Sequence, residues 1–254
     1  MKYYEQLVDL GCFTTADVEA MTGKRTTANS LITSYLKKGL IERVRKGLYV
    51  AVSLETKQPV PNRYAIASNA TSDAYAAYHS ALEFHGIANQ VYYEVYAASK
   101  NRFRTFEHGG LTYTFVPSPI DIGIESKAGG VRVTDLERTI IDGIDDFNYV
   151  GGIDELLRSI ELIPYLNYEK LLNYLSAYDK AFLYQKTGYV LEHYKDGLKI
   201  PDQFFTDCRN MVGKSSRYLY TSLKSEQYSF NKKWSLCVPE NLMIITRKGA
   251  NYVE

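Results

Sequence analysis

The chain reads as an α+β protein, an N-terminal winged helix-turn-helix followed by a larger mixed α/β C-terminal domain that ends mainly helical. Three observations predict this. Residues 14–38 hold a capped short helix, a glycine turn and an amphipathic second helix, with two short apolar strands around a basic turn directly behind them. Between residues 91 and 133, segments rich in β-branched and aromatic residues are separated by turn signals. From Gly151 onward the apolar spacing is mainly that of helices. The expected boundaries are 1–52 for the winged helix, 53–63 for a linker containing Pro59 and Pro61, and 64–254 for the C-terminal domain.

The stretch from Lys2 to Leu10 predicts a short helix that buries Leu7 and Leu10 before Gly11 ends it. Thr14-Thr15-Ala16-Asp17 is a capping box: the Thr14 hydroxyl can accept from the Asp17 amide while the Asp17 carboxylate accepts from Thr14. The brief helix that follows turns Val18 and Met21 inward and stops at Gly23, where a left-handed backbone suits glycine. A second helix then runs from about Arg25 to Lys38. Ala28, Leu31, Ile32, Tyr35 and Leu36 form its apolar stripe, and Thr26, Ser30, Thr33 and Lys37 its opposite face. Leu40–Val44 and Leu48–Val52 read as the strands of a wing with Arg45-Lys46-Gly47 at its tip.

Charge singles out this segment. From Lys24 to Gly47 seven Lys or Arg face one acid, Glu42, for a net +6, whereas the whole chain carries +1 and the remainder therefore −5. Basic residues gathered on one short module are the footprint of a phosphate backbone partner. Thr26, Thr27, Ser30 and Thr33 are the candidate base-edge contacts, and Lys24, Arg25, Lys37, Arg43, Arg45 and Lys46 the candidate phosphate contacts. The alternative is a small helical domain with a solvated basic face.

Farther along, Asp73–Phe84 predicts a helix with Ser72 as N-cap, ended by Gly86. Val91–Ala98 and Gly110–Val116 predict an antiparallel pair flanking a charged turn with Lys100, Arg102, Arg104 and Glu107. Residues 117–130 read as a loop, and Val131–Val133 as a strand. Thr134-Asp135-Leu136-Glu137 is read as a second capping box, opening a helix that buries Leu136, Ile140, Ile144 and Phe147. Arg138 and Asp142 form an i,i+4 ion pair on its other face. That pair either locks the helix to a neighbouring strand or contacts a nucleotide or partner. Helices are expected at Ile153–Ile160, Tyr168–Tyr178, Lys180–Tyr194 and Asp202–Met211, and a strand at Ser229–Val238.

Several chemistries find no support. No phosphate-loop, dinucleotide or nucleophile-elbow motif occurs, so neither a cofactor nor a catalytic residue is expected. His79 and His85 lie six apart and share no helix face, and Asp142, Asp145 and Asp146 cluster late in a helix, where acids are usually solvated, so no metal is expected. Cys12, Cys208 and Cys237 are widely spaced and read as reduced thiols of a cytoplasmic protein; there is no signal-peptide pattern and no long apolar run, hence no membrane partner is expected.

Four segments resemble a known family. Gly39-Leu40-Ile41-Glu42-Arg43-Val44-Arg45-Lys46-Gly47-Leu48-Tyr49 is similar to the wing of the AbiEi antitoxins of type IV toxin–antitoxin, abortive-infection systems. His79-Ser80-Ala81-Leu82-Glu83-Phe84-His85-Gly86 and Val133-Thr134-Asp135-Leu136-Glu137-Arg138-Thr139-Ile140-Ile141-Asp142 resemble that family's "SALxxHG" and "VTDxERTLLD" segments. Gln185-Lys186-Thr187-Gly188-Tyr189-Val190-Leu191-Glu192 is similar to its "RLGYLLE" segment, with Lys186-Thr187 where Arg-Leu is more usual. The resemblance implies a winged helix that represses its own operon at inverted repeats in the promoter. It also implies a C-terminal domain that neutralises a nucleotidyltransferase-like toxin encoded next door, without a stable complex, in phage defence. Two rivals remain from the residues alone. One is a ligand-sensing winged-helix regulator, which an apolar pocket with converging polar groups would favour. The other is an enzyme fused to a DNA reader, which would need acids meeting around a metal.

Overall fold

The computed structural model describes residues 2–213, 215–225, 227–240 and 242. It has two compact units, interleaved along the chain. The first comprises residues 1–80, 92–118 and 124–134, and the second 81–91, 119–123 and the chain from Asp135. These units are drawn differently from the boundaries expected at 52 and 63.

The first unit opens with α1 (Tyr4–Leu10), β1 (Cys12–Thr14), α2 (Thr15–Thr22), α3 (Arg25–Lys37), β2 (Ile41–Arg45) and β3 (Leu48–Ala51). Leu7 is buried as expected, but Leu10 is exposed and Tyr4 takes the second inward place. The capping box of α2 is present, with the Thr14 amide donating to Asp17 at 2.6 Å and the Asp17 amide to the Thr14 hydroxyl at 3.3 Å. Strand β1, which is too short to read from periodicity, joins the wing as a third strand in the order β1-β3-β2, all antiparallel.

Strand β3 is buried along its whole length because both faces of the small sheet are covered. Tyr49 and Ala51, with Phe13 and Ile41, pack against Val18, Ala28, Ile32 and Tyr35 of the helices. On the other face, Val44, Leu48, Val50 and Cys12 pack into a core shared with Ile66, Val95, Phe103 and Tyr113. The winged helix is therefore not a module on a tether. Residues 53–62 form a compact turn against it: Val60 donates to the Ala51 carbonyl at 2.8 Å and Ser53 to Gln58 at 2.9 Å.

Next come α4 (Arg63–Ser68), capped by Asn62, then β4 (Tyr75–Ala76) and α5 (His79–Phe84). The expected helix from Asp73 is thus shortened to α5, and its first half holds the two-residue strand β4. Alanine-rich Ala74–Ala77 has helical propensity, yet these residues are fully buried in the middle of a sheet, and Tyr78 takes φ +54°, which a helix does not tolerate. That sheet is completed by β5 (Glu94–Ser99), β6 (Phe106–His108), β7 (Leu111–Pro117), β8 (Ile124–Lys127) and β9 (Val131–Thr134), in the order β6-β7-β5-β4-β9-β8. β5 and β7 are parallel, not antiparallel, because the hairpin over Gly109-Gly110 puts β6 on the far side of β7. β8 lies inside the expected loop and pairs antiparallel with β9.

The second unit is mainly helical: α6 (Leu136–Asp145), α7 (Ile153–Glu161), α8 (Tyr168–Tyr178), α9 (Ala181–Glu192), α10 (Lys195–Leu198) and α11 (Asp202–Asn210). A small sheet of β10 (Arg217–Tyr218), β11 (Tyr228–Asn231) and β12 (Leu236–Pro239) follows, so the expected single late strand is a hairpin. Trp234 sits buried in its turn region, over Gly188 of α9, where a Cβ would meet the indole at 2.1 Å. Its Nε1 donates to Glu192 at 3.0 Å. Glycine at 188 is thus the seat of a tryptophan.

Candidate nucleic-acid interface

Helix α3 owes its orientation to Ala28, Ile32 and Tyr35, spaced by four and three residues and buried against the rest of the winged helix. The same spacing leaves Thr26, Thr27, Ser30, Thr33 and Lys37 exposed. Lys24 is the N-cap residue and makes no side-chain cap, so the first-turn amides of α3 have no side chain closing them off. Arg25 reaches Glu19 at 2.9 Å, a contact between two exposed side chains that costs little to exchange for another. The Thr33 hydroxyl donates back to the Asn29 carbonyl at 2.9 Å.

On the wing, Arg43 is exposed, lying 5.7 Å from the Tyr49 ring centroid, and Lys46 is exposed at the turn that Gly47 makes at φ +84°. Arg45 goes elsewhere. The ladder between β2 and β3 shifts register between Arg43 and Arg45, and this bulge re-aims the Arg45 side chain to the side of Val44. Its guanidinium lies 5.5 Å from the Phe103 ring and 5.4 Å from the Phe106 ring, and donates to the Ala70 carbonyl. Burial lowers its pKa from the ordinary arginine value. The expectation of a phosphate contact at Arg45 thus meets a competing use inside the protein.

The second expected pair, Arg138 and Asp142, is enclosed in the second unit. Both side chains have no exposed surface, and Arg138 Nε donates to Asp142 Oδ1 at 2.5 Å. Arg138 also donates to the carbonyls of Ile120 and Ile122, and the Tyr178 hydroxyl donates to Asp142. Burial pushes the Asp142 pKa up against the pull of Arg138 and Tyr178. The N-cap of α6 is Asp135, not Thr134: its carboxylate accepts from the Arg138 amide at 2.8 Å, Lys170 at 2.9 Å and Tyr174. Glu137 receives the Asn167 amide at 2.9 Å. Lys170, Tyr174 and Tyr178, which supply these partners, recur every fourth residue on α8, a spacing legible in the sequence that only the fold connects to α6. Gly123 completes the cage, because a Cβ there would approach Tyr174 and Arg138 to within 2.8–2.9 Å.

Elsewhere in this unit a cavity of about 1170 Å³ is lined by Lys186, Arg217, Lys224, Asp146, Phe147 and Phe182, among others. Lys186 donates to the Asp145 carbonyl at 2.8 Å and lies 4.4 Å from the Phe147 ring centroid. Burial lowers its pKa to about 8, against the opposing pull of Asp145 and Asp146. His79 is fully buried at the start of α5 and stacks on Tyr92 at 3.8 Å, while His85 follows the end of α5 half-buried. Cys12, Cys208 and Cys237 are free thiols. Among the described residues no group of three or more His, Cys, Asp or Glu could hold a metal ion, and no helix is long and apolar enough to cross a membrane.

The fold is similar to that of the RV2827C protein from Mycobacterium tuberculosis, with a TM-score of 0.62 over 94% of this chain and 89% of that one, at 14% sequence identity. Among curated proteins none matches the chain. The match that bears on function is confined to the module whose exposed face has just been described. Residues 4–52 match the family described as transcriptional regulator, AbiEi antitoxin.

Proposed function

We propose that the chain is the antitoxin of a type IV toxin–antitoxin pair acting in phage defence, and that it represses its own operon from the cytoplasm. The winged helix reads inverted repeats in the promoter, and the C-terminal domain neutralises a nucleotidyltransferase-like toxin encoded next door without holding it in a stable complex. The family match at residues 4–52 and the resemblance of three further segments support this reading. The observation that carries it is the α3 face: exposed Thr26, Thr27, Ser30 and Thr33, ending in Lys37, with Arg43 and Lys46 exposed on the adjoining wing. Short hydroxyl side chains reach base edges in a major groove, and the cations Lys24, Arg25, Lys37, Arg43 and Lys46 neutralise phosphates. Arg45 contributes by fixing the wing. Arg138 and Asp142 serve antitoxicity by holding α6 in its cage of α8 side chains.

Footprinting on the DNA just upstream of the gene tests the first half. Two protected half-sites about one helical turn apart, or a multiple of it, are expected, and both are lost in Arg43→Ala/Lys46→Ala. Protection no stronger than on random DNA would overturn the autorepressor reading. The second half is tested by growth rescue with the neighbouring toxin gene induced. The DNA-binding variant, supplied from an independent promoter, should still rescue.

The cavity around Lys186 favours a second reading, a regulator switched by an anionic aromatic ligand: it places three cations beside Phe147 and Phe182. Such a ligand would raise the unfolding temperature and change DNA affinity together. No shift in either across a panel of anionic aromatic compounds would retire this alternative.

A further inference from the structure

Lys100, Arg102 and Arg104 lie in the loop between β5 and β6, more than fifty residues beyond the wing tip in sequence. The fold brings that loop to the wing tip. Phe103, buried between the exposed Arg102 and Arg104, packs its ring against the Arg45 guanidinium, and Phe106 does the same at the loop's far end. His108 on β6 lies 3.7 Å from Glu42 on β2, a second place where the two strands come close. The near end is fixed as well. Asp73 accepts from the Lys100 amide at 2.8 Å, from Asn101 Nδ2 at 2.9 Å and from the Ser99 hydroxyl at 2.8 Å. Burial pushes the Asp73 carboxyl up, but these bonds together with one from Thr71 outweigh it and hold the pKa well below the usual carboxylate range.

The loop is therefore held at both ends and in the middle while it displays two arginines to solvent. A pre-ordered cationic loop loses little conformational entropy on meeting a polyanion, and arginine is the side chain that grips phosphate with a fork of donors. Arg45 links the two surfaces: it stands on the wing strand beside exposed Lys46, and its guanidinium lies against Phe103 and Phe106 of the segment that shows Arg102 and Arg104. We infer that the DNA footprint continues past the wing onto this loop, with Arg102 and Arg104 on backbone phosphates flanking the site read by α3. The inference rests on the DNA-binding reading of the winged helix and adds a contact surface from outside it.

The test is a salt titration on a random-sequence duplex of about 30 base pairs, or three helical turns, with hydroxyl-radical footprinting on the upstream DNA. Each lost phosphate contact flattens the slope of log K against log salt by about 0.9. Arg102→Ala/Arg104→Ala should flatten it by about 1.8 and trim the outer edge of the footprint, whereas Arg102→Lys/Arg104→Lys should keep most of the slope. Both side chains are exposed, so an unchanged unfolding midpoint is expected and is measured on the same samples. Suppose Lys46→Ala flattens the slope while the Arg102/Arg104 alanine variant matches wild type in slope and footprint. Then the loop is off the DNA, and the inference fails while the winged-helix reading stands. Loss of toxin rescue with unchanged DNA binding in the alanine variant would make the loop a protein-binding surface and overturn it too. Wild-type binding with no salt dependence would sink the underlying reading itself.

Discussion

Helices α3 and α6 each carry a polar stripe at steps of three and four residues, and the fold treats the two stripes in opposite ways. On α3, Thr26, Ser30, Thr33 and Lys37 stand in solvent. On α6, Asp135, Arg138, Thr139 and Asp142 are all buried, and every residue from Glu137 to Ile144 is enclosed. Periodicity marks which residues share a face, but what lies against that face is decided elsewhere in the chain. For α6 that is α8, whose Lys170, Tyr174 and Tyr178 reach the stripe with hydrogen bonds. A buried polar face tied to its neighbour by hydrogen bonds fixes one arrangement of helices. An exposed one is available to a partner. Substitutions on the two stripes should therefore separate stability from recognition.

The largest effect is expected at Arg138. Arg138→Ala leaves Asp142 buried without its cation, and breaking such a pair costs about 3–5 kcal/mol. Denaturant unfolding would read this, and Arg138→Met with Asp142→Leu, which removes both charges at similar volume, should recover most of the loss. The pH dependence carries a sign. In the wild type burial already raises the Asp142 pKa, and Arg138 opposes it. Removing Arg138 raises the folded-state value further above the unfolded one, near 3.9. A group with a raised folded pKa supports the fold below its unfolded pKa and loses that support as pH rises through the folded one. The deficit of Arg138→Ala should thus be smallest in acid and grow as pH rises through the raised wild-type pKa of Asp142 toward the still higher one of the variant. A deficit under about 1 kcal/mol at neutral pH would break the contrast with α3, since that is the size of an exposed pair.

A middle-sized effect is expected at Arg45, which sequence alternation puts with the exposed wing cations. Arg45→Met keeps an apolar stem against Phe103 and Phe106 but removes the bond to the Ala70 carbonyl and the charge over the rings. A loss of about 1–3 kcal/mol in unfolding free energy is expected, with the salt slope of DNA binding unchanged. A slope flattened by about 0.9 would return Arg45 to the phosphates.

This residue shows where legibility ended. The winged helix, its capping box and four of the helices of the second unit could be read within a few residues of their observed ends, because each follows from local spacing and capping. The bulge that turns Arg45 inward, the two-residue strand Tyr75–Ala76 and the parallel pairing of β5 with β7 depend on partners far off in sequence. The α3 face could be listed residue by residue from the sequence. That Phe103 would bring Arg102 and Arg104 to the wing could not.

The smallest effect on stability, and the sharpest on recognition, belongs to Ser30 and Thr33. Exposed substitutions away from caps and buried networks usually stay within about 0.5 kcal/mol, so Ser30→Ala and Thr33→Ala should unfold like wild type. Their contribution should show as lost discrimination between the upstream DNA and random DNA. A base contact is worth about 1–3 kcal/mol, and a single hydroxyl belongs at the low end. The two residues should differ. Thr33 already returns its hydroxyl proton to the Asn29 carbonyl, which leaves it an acceptor and a methyl group for the groove, whereas Ser30 is exposed one turn nearer the start of α3. Ser30→Ala should therefore lose more discrimination than Thr33→Ala, and Thr33→Ser, which deletes only the methyl, should reveal any thymine contact. Competition binding at one salt concentration measures all three. If each variant loses the same factor on both DNAs, these side chains touch backbone only, and the α3 stripe is an electrostatic surface and not a reading one.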